Sequence, residues 1–307
     1  MGPLVGAGGW AYFDVPARDA LAAYARAFPF VEVNATFYEW PSPPRVASWR
    51  RRVPAGFRFA VRTHRDLTHR HRLAADPASR ASLARTAKIA ERLAAVAIVL
   101  ETPVTDPFDA ARAAALRDLL GAANLPCPVA LEARAHRDHA LPSPLAALME
   151  DHDVADAVDF SRQAPRTRSS LAYGRIFGLG DGNRWEFTDD ELAAVRQNAE
   201  STGAARIAYT FHGVRMYKDA GRFLTYVRTG SFPRATRHTG VRSLEEVLGE
   251  AAGFPATKAD LVRDHGWRVL DLAGDRRVHA NVLLQELPSG RYGSLAEVVR
   301  ALATQGR

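Results

Sequence analysis

Residues 78–101 run Ala78-Ser-Arg-Ala-Ser-Leu-Ala-Arg-Thr-Ala-Lys-Ile-Ala-Glu-Arg-Leu-Ala94, then Ala95-Val-Ala-Ile-Val-Leu100, then Glu101. The first part is an Ala/Leu/Arg stretch of helical period. The second is a short apolar run with β-branched residues, long enough for a strand and too short for a helix. Upstream, Phe57-Arg-Phe-Ala-Val61 is a second such run, so this part of the chain predicts a strand–helix–strand unit. The unit recurs along the chain. Strands are predicted at Leu4–Ala7, Phe30–Val33, Phe57–Val61, Ala95–Leu100, Val129–Leu131, Ala155–Val158, Tyr173–Ile176 and Ile207–Phe211. Helices are predicted among them at Arg18–Ala27, Pro44–Arg51, Ala78–Ala94, Asp109–Ala122, Pro144–Glu150, Asp189–Glu200 and Met216–Thr229. Thr188 followed by Glu191 has capping-box spacing at the start of one of them. Eight strands in β-α alternation fit an α/β fold of the (β/α)8 TIM-type barrel class; an open doubly wound sheet needs only about six or seven.

The texture changes after Gly240. Ser243-x-x-Glu246, Thr257-x-x-Asp260 and Ser294-x-x-Glu297 each open a short amphipathic run. The expected organisation is therefore a barrel over residues 1–240 and a small C-terminal helical domain over 241–307. Leu261, Leu270, Leu272, Val278, Leu283, Leu284, Leu287, Leu295 and Val298 are its candidate core. About 60 residues is marginal for independent stability, so the tail is expected to lean on the barrel.

Composition narrows the function classes. The apolar share of 47% is that of a globular protein, and no stretch of about eighteen uncharged apolar residues exists to span a membrane. The segment from Met1 to Gly6 has neither a basic region nor a long apolar one, so no signal peptide is expected and the localisation predicted is cytoplasmic. A lone Cys127 excludes an internal disulfide and a cysteine-rich zinc site. The net charge is +7, and of 41 basic residues only Lys88, Lys218 and Lys258 are lysines, leaving 38 arginines. Guanidinium binds phosphate oxygens bidentately, so nucleic acid or a phosphate-containing small molecule is the partner class this composition suggests.

In barrels of this kind, function sits where each strand runs into its following loop. That register holds a polar series: Glu32, Asn34, Thr36 and Tyr38 after strand two; Arg62 and His64 after strand three; Glu101 after strand four. Glu132 and Arg134 follow strand five, Asp159 follows strand six, Arg175 lies on strand seven and His212 ends strand eight. Converging carboxylates and imidazole can hold a divalent metal (Mg, Mn or Zn) that activates water, with Glu101, Glu132, Asp159 and His212 as its candidate ligands. Glu32, Glu132, Asp159 and His64 are the catalytic candidates. Trp10, Asn34, Thr36, Tyr38, Arg62, Arg134 and Arg175 are the substrate-binding ones. Without a metal, Glu132 and Asp159 would form an acid/base pair of the glycosidase type. Each residue also has a structural alternative: Glu132 with Arg134 or Arg175 as an ion pair closing the barrel top, His64 and His212 as hydrogen-bonded rim residues. Polar groups at one end of most strands nonetheless imply a wet cavity.

The stretch from Arg62 to Arg72 holds four arginines and three histidines, either a solvated basic loop or a phosphate contact. Trp10, Tyr12, Tyr38, Trp40 and Trp185 fall in strand-end loops, where they would stack on bases or sugar rings or else cap the core. Gly178-Leu-Gly180-Asp-Gly182 lacks dinucleotide spacing and predicts a flexible loop. No phosphate-binding loop, zincin or nucleophile-elbow motif is present.

Several blocks resemble the YecE-like family, domain of unknown function 72: Gly8-Gly9-Trp10, Val31-Glu-Val-Asn-Ala-Thr-Phe-Tyr38, Pro41-Ser-Pro43, Phe57-Arg-Phe-Ala-Val61 and Thr68-His69. Later come Glu132-Ala-Arg134, Tyr173-Gly-Arg175, Phe177-Gly178 and Met216-Tyr-Lys-Asp-Ala220. The resemblance covers about residues 4–235 and implies a TIM barrel like those of endonuclease IV and xylose isomerase, with no settled activity. It implies Glu32, Asn34, Thr36, Tyr38, Glu132, Arg134 and Arg175 as the family's strand-end positions. This chain departs from the pattern at Arg62 (usually Lys), Glu101 (usually Gln) and His212-Gly213 (usually Asn-Asn), adding a carboxylate and an imidazole that favour a metal. Phe254-Pro-Ala-Thr-Lys-Ala-Asp-Leu261, Leu287-Pro288 and Tyr292-Gly-Ser-Leu-Ala-Glu-Val298 resemble the small helical domain of unknown function 2795. The expected activity is a metal-dependent hydrolase of nuclease type on a phosphate-containing substrate. The alternatives are a non-catalytic nucleic-acid or adaptor protein, and a metal-free sugar isomerase or glycosidase-like enzyme.

Overall fold

Eight short strands form one wholly parallel sheet: β1 (Leu4–Ala7), β2 (Phe30–Val33), β3 (Arg58–Arg62), β4 (Ala97–Glu101), β5 (Val129–Glu132), β6 (Ala155–Asp156), β7 (Leu171–Ile176) and β8 (Arg206–Phe211). In space they run β6-β5-β4-β3-β2-β1-β8-β7. A parallel bridge between Val158 and Gly174 brings the two outermost strands together, and a nearly closed TIM-type barrel results. The computed structural model describes residues 2–13 and 19–305. The predicted start of the first helix at Arg18 lies outside them; the described helix is Ala20–Ala27, capped by the Asp19 side chain.

Strand ends match expectation or differ from it by one or two residues, the sixth strand being short and ending at Asp156. Parallel strands are covered on both faces, which is why they read as unbroken apolar runs. Helix boundaries follow local chemistry. Asp19, Ser42, Asp76 and Asp109 each accept a first-turn amide, and helix Pro77–Leu93 also has proline in its first turn.

The barrel interior explains the placement of the site. Phe30, Ala60, Val99, Ala130, Ala157, Tyr173 and Ala208 belong to one buried cluster. Side chains on a strand repeat their direction every two residues. Two residues further along the same inner face stand Glu32, Arg62, Glu101, Glu132, Asp159, Arg175 and Thr210. Residues of the opposite parity, such as Leu100, Val129 and Leu131, pack outward with Leu116, Leu145 and Leu148 of the surrounding helices.

The chain forms two compact units, one of Met1–Ile176 with Ala194–His212 and the other of Phe177–Ala193 with Gly213–Arg307. The second contains helices Met216–Thr229, Val241–Ala251, Lys258–His265 and Leu295–Gln305. It also contains two antiparallel ribbons that helical periodicity did not reveal, Val269–Asp271 with Arg277–His279 and Ala256–Thr257 with Arg291–Tyr292. The predicted capping boxes at Thr188/Glu191 and Thr257/Asp260 form. Ser243 does not start its helix. Gly240, at φ 62°, is the cap, and the Ser243 hydroxyl instead accepts the Asp271 amide at 3.0 Å. Among the described residues no helix is long and apolar enough to cross a membrane.

Candidate active site at the barrel mouth

Arg175 is the centre. Only 2% of its surface is exposed, and its guanidinium meets three carboxylates at once: Glu32 at 3.0 Å, and Glu101 and Glu132 more closely still. Sheet register makes this possible. Glu101 and Glu132 are direct cross-strand partners on β4 and β5, and Arg175 sits one residue beyond the closing bridge at Gly174.

Every carboxylate in the cluster has further partners. Glu32 Oε2 accepts the Tyr173 hydroxyl at 2.8 Å, and His212 Nε2 lies 3.7 Å from its other oxygen. Glu101 Oε1 pairs with Arg62 at 2.6 Å and Arg134 at 3.0 Å. Glu132 Oε1 pairs with Arg137 at 3.3 Å and lies 3.9 Å from Arg134 Nε. Burial opposes ionisation of Glu32, but Arg175, His212 and Arg62 outweigh it and hold the carboxyl well below its ordinary value. Burial likewise opposes ionisation of Glu101, and Arg175, Arg62 and Arg134 again prevail. His212 is pushed down by burial and by Arg175, against the pull of Glu32.

Arg62 lies with its guanidinium carbon 3.5 Å from the centre of the Phe37 ring, a cation–π contact. His69 and Tyr38 meet the edges of the same ring at 5.1 and 5.0 Å. His69 is exposed, and burial, with Arg62 and Arg134 and against Glu101, lowers its pKa. Its Nδ1 lies 2.8 Å from the Thr68 hydroxyl.

Not all the expected residues gather here. Asn34 donates to the Gly8 carbonyl at 2.6 Å and faces Arg62 at 3.4 Å, so it braces the site. The Thr36 hydroxyl sits 2.8 and 2.6 Å from the carbonyls of Val33 and Arg62, a buried strap between strands β2 and β3. Trp10 packs edge-on against Trp49 at 5.4 Å, and Tyr38 is 64% exposed. His64 stacks under Trp40 at 4.7 Å, with Arg85 near the same indole, and its Nδ1 faces the amide and carboxylate of Asp66. Asp159 continues the inner face of the barrel, but its Oδ1 is taken by the Ser161 amide and hydroxyl at 2.9 and 2.6 Å. The Arg62–Arg72 stretch divides: Arg62 and His64 are buried, a wide turn spans Asp66–Arg70, and Arg72 pairs with Asp106. Sequence reading missed Arg137, Tyr173, His69 and Phe37. Tyr173 was legible in principle, being two residues before Arg175 on the same face; nothing in the sequence marks Arg137.

The arrangement does not fit the expected divalent metal at Glu101, Glu132, Asp159 and His212. A cation among these carboxylates would need oxygens that guanidinium groups occupy, and Asp159 is spent on its own turn. Among the described residues no three of His, Cys, Asp and Glu converge as a metal site. The positive charge such a metal would bring is already supplied by arginine.

One glycine shapes the site. A Cβ on Gly8 would fall 2.2 Å from His212 Nδ1 and 2.9 Å from Asn34 Nδ2. Gly8→Ala is therefore expected to displace both side chains and lower stability by about 1–3 kcal/mol, as overpacking does, with denaturant melts as the check.

A separate charge cluster lies within the second unit. Glu186 accepts from Arg268 and the Val269 amide at 2.8 Å each, from Arg215 at 2.9 Å and from Lys218 at 3.1 Å. Burial opposes its ionisation, yet these partners hold its pKa at about 2. Asp219, 1% exposed, accepts the Phe187 amide at 3.2 Å. Burial, then the nearby Glu186 charge, push its carboxyl up to about 8.

A nearly closed eight-stranded parallel barrel with a polar cluster at the strand ends defines the class as a TIM-barrel protein. Residues 4–235 match the family described as protein of unknown function DUF72, and the chain belongs to it. Among solved structures it is similar to a DUF72 family protein from Enterococcus faecalis, at 14% identity over 75% of this chain and 99% of that one, TM-score 0.55. It is similar to another from Thermotoga maritima at 15% identity, 74% and 98% coverage and TM-score 0.55. A D-psicose 3-epimerase shares the fold at 13% identity, 73% and 98% coverage and TM-score 0.50. No curated protein matches the chain.

Proposed function

We propose that the barrel mouth binds a phosphate-containing small molecule through arginine, with no metal held by Glu101, Glu132, Asp159 and His212. One observation carries this: four arginines, Arg62, Arg134, Arg137 and Arg175, gather around the carboxylates of Glu32, Glu101 and Glu132. Two of those arginines reach solvent, Arg134 with 30% and Arg137 with 34% of the side chain exposed. The buried Nε donors of Arg62 and Arg134 also have no hydrogen-bond partner among the described residues. Buried donors of this kind ask for an acceptor, and a phosphate oxygen is a suitable one.

The carboxylates orient the clamp. Held ionised well below neutral pH, Glu32 and Glu101 are poor proton donors at pH 7, and they fix the guanidinium planes. His69, an exposed imidazole whose pKa is lowered, is a group able to take a proton from a bound substrate, which supports hydrolase or isomerase chemistry over passive binding. In support of a separate appended module, one buried apolar cluster is built from residues 244–302, including Leu244, Leu261, Leu284 and Val298. We extend the proposal to residues 241–307 as that module, of the domain of unknown function 2795 type.

The test is a melting experiment in phosphate and in chloride at equal ionic strength. Phosphate is expected to raise the melting temperature and chloride is not; occupancy at a hundredfold excess over Kd is worth about 2.7 kcal/mol. The Arg134→Ala, Arg137→Ala double variant should weaken phosphate binding by about tenfold or more, since charged hydrogen bonds contribute about 1.5–3 kcal/mol each. A wild-type protein indifferent to phosphate would sink the proposal.

A further inference from the structure

The second unit holds a cavity of about 500 Å³, within the size range of small-molecule sites. Two indoles line it, Trp185 and Trp267, together with His279, Asn281 and Gln285.

The wall is fixed in place. Glu191 accepts the Trp185 Nε1–H at 3.3 Å and faces His279 Nε2 at the same distance, while His279 Nδ1 lies 3.2 Å from the Trp267 carbonyl. The Trp185 and His279 rings pack 4.4 Å apart. The expected flexible loop Gly178–Gly182 is instead moulded to the first indole. A Cβ on Gly178, at φ +90°, would lie 2.5 Å from the Trp185 Cβ, and one on Gly180 would lie 2.3 Å from the Arg184 carbonyl oxygen. Glycine at both positions admits the tryptophan.

The local charge argues against a polyanion. Arg263 is bound by Asp260 at 2.8 Å and Asp264 at 2.6 Å, and Arg184 lies 3.8 Å from Asp264. Both lining arginines thus face carboxylates, and Asp181 is also on the lining, so little positive charge is left over for a polyanion. Gln285 donates to the Asn281 oxygen at 3.1 Å, which aligns the two amides and leaves the Asn281 donor and the Gln285 acceptor for a ligand.

Flat apolar faces beside neutral hydrogen-bonding groups suit a ring with aliphatic C–H on its faces and hydroxyls on its edge. We propose that this cavity binds a neutral pyranose unit of an oligosaccharide, a site separate from the anion clamp and independent of it.

The full chain is titrated with maltohexaose, cellohexaose and chitohexaose, read by ligand-observed saturation-transfer NMR, with a decathymidine oligonucleotide as the polyanionic comparison. At least one hexasaccharide is expected to bind saturably. Trp267→Ala should weaken it by about tenfold, the loss typical of one stacking ring. Trp267→Phe should restore most of the affinity. Asn281→Ala, at an exposed residue that leaves folding intact, should weaken binding several-fold and serves if Trp267→Ala does not fold. No binding by any of the three sugars, or binding unchanged in these variants, overturns the proposal. So does decathymidine binding that both variants abolish, since the cavity would then be a base-stacking site.

Discussion

Arg175→Met is expected to lower folding stability by about 3–5 kcal/mol at pH 7, the loss typical when one partner of a buried ion pair is removed. The guanidinium is the shared counter-charge of Glu32, Glu101 and Glu132, so its removal leaves three carboxylates crowded in the barrel. Arg175→Lys should recover only part of the loss, because one ammonium cannot present a planar fork to three acceptors. The pH dependence separates charge from packing. In the wild type Glu32 and Glu101 have lowered pKa values, so their contribution is complete above the ordinary glutamate value of 4.5 and is lost as pH falls through the folded values. In Arg175→Met the same carboxyls lose their counter-charge and protonate more readily. The deficit should therefore be greatest at pH 7 and shrink towards pH 4. Urea denaturation at the two pH values measures it, and an equal deficit at both would mean that Arg175 acts through packing alone.

Asp219→Asn is expected to act with the opposite sign. The Asp219 carboxyl titrates at about 8 in the folded chain, against an ordinary value of 3.8, so between these values the folded state holds a proton that the unfolded state has released. Stability from this group is complete below pH 3.8 and falls as pH rises, by about 1.4 kcal/mol per pH unit across the window. Asparagine keeps an acceptor for the Phe187 amide and carries no charge. The variant should match the wild type near pH 4 and exceed it by a few kcal/mol at pH 8. Parallel stability curves for the two proteins from pH 4 to pH 8 would contradict the assignment of a neutral Asp219.

How far each feature was legible depends on the range of the interaction behind it. Strand β4 was readable because an apolar run after a helical stretch reflects burial on both faces. The inner-face series Glu32, Arg62, Glu101, Glu132 and Arg175 was readable because period-two geometry and the end of the apolar run are both local. Ser243 misled because its hydroxyl is captured by Asp271, far along the chain, before it can cap a helix. Asp159 stands at the expected register, and the Ser161 amide and hydroxyl, two residues on, take one of its oxygens.

The metal expectation shows the boundary most clearly. Residue type and register put carboxylates and arginines at one end of the barrel, and both were written in the chain. Whether those carboxylates would surround a cation or a guanidinium depends on which strands become neighbours. Closure through Val158 and Gly174 and the direct pairing of Glu101 with Glu132 bring Arg175 among acids 43 to 143 residues away. Periodicity along one strand carries information about faces, so the sequence alone determined the barrel and the polar end of its strands. Charge compensation is a property of neighbours across strands, so only the tertiary structure decided that arginines stand among these carboxylates.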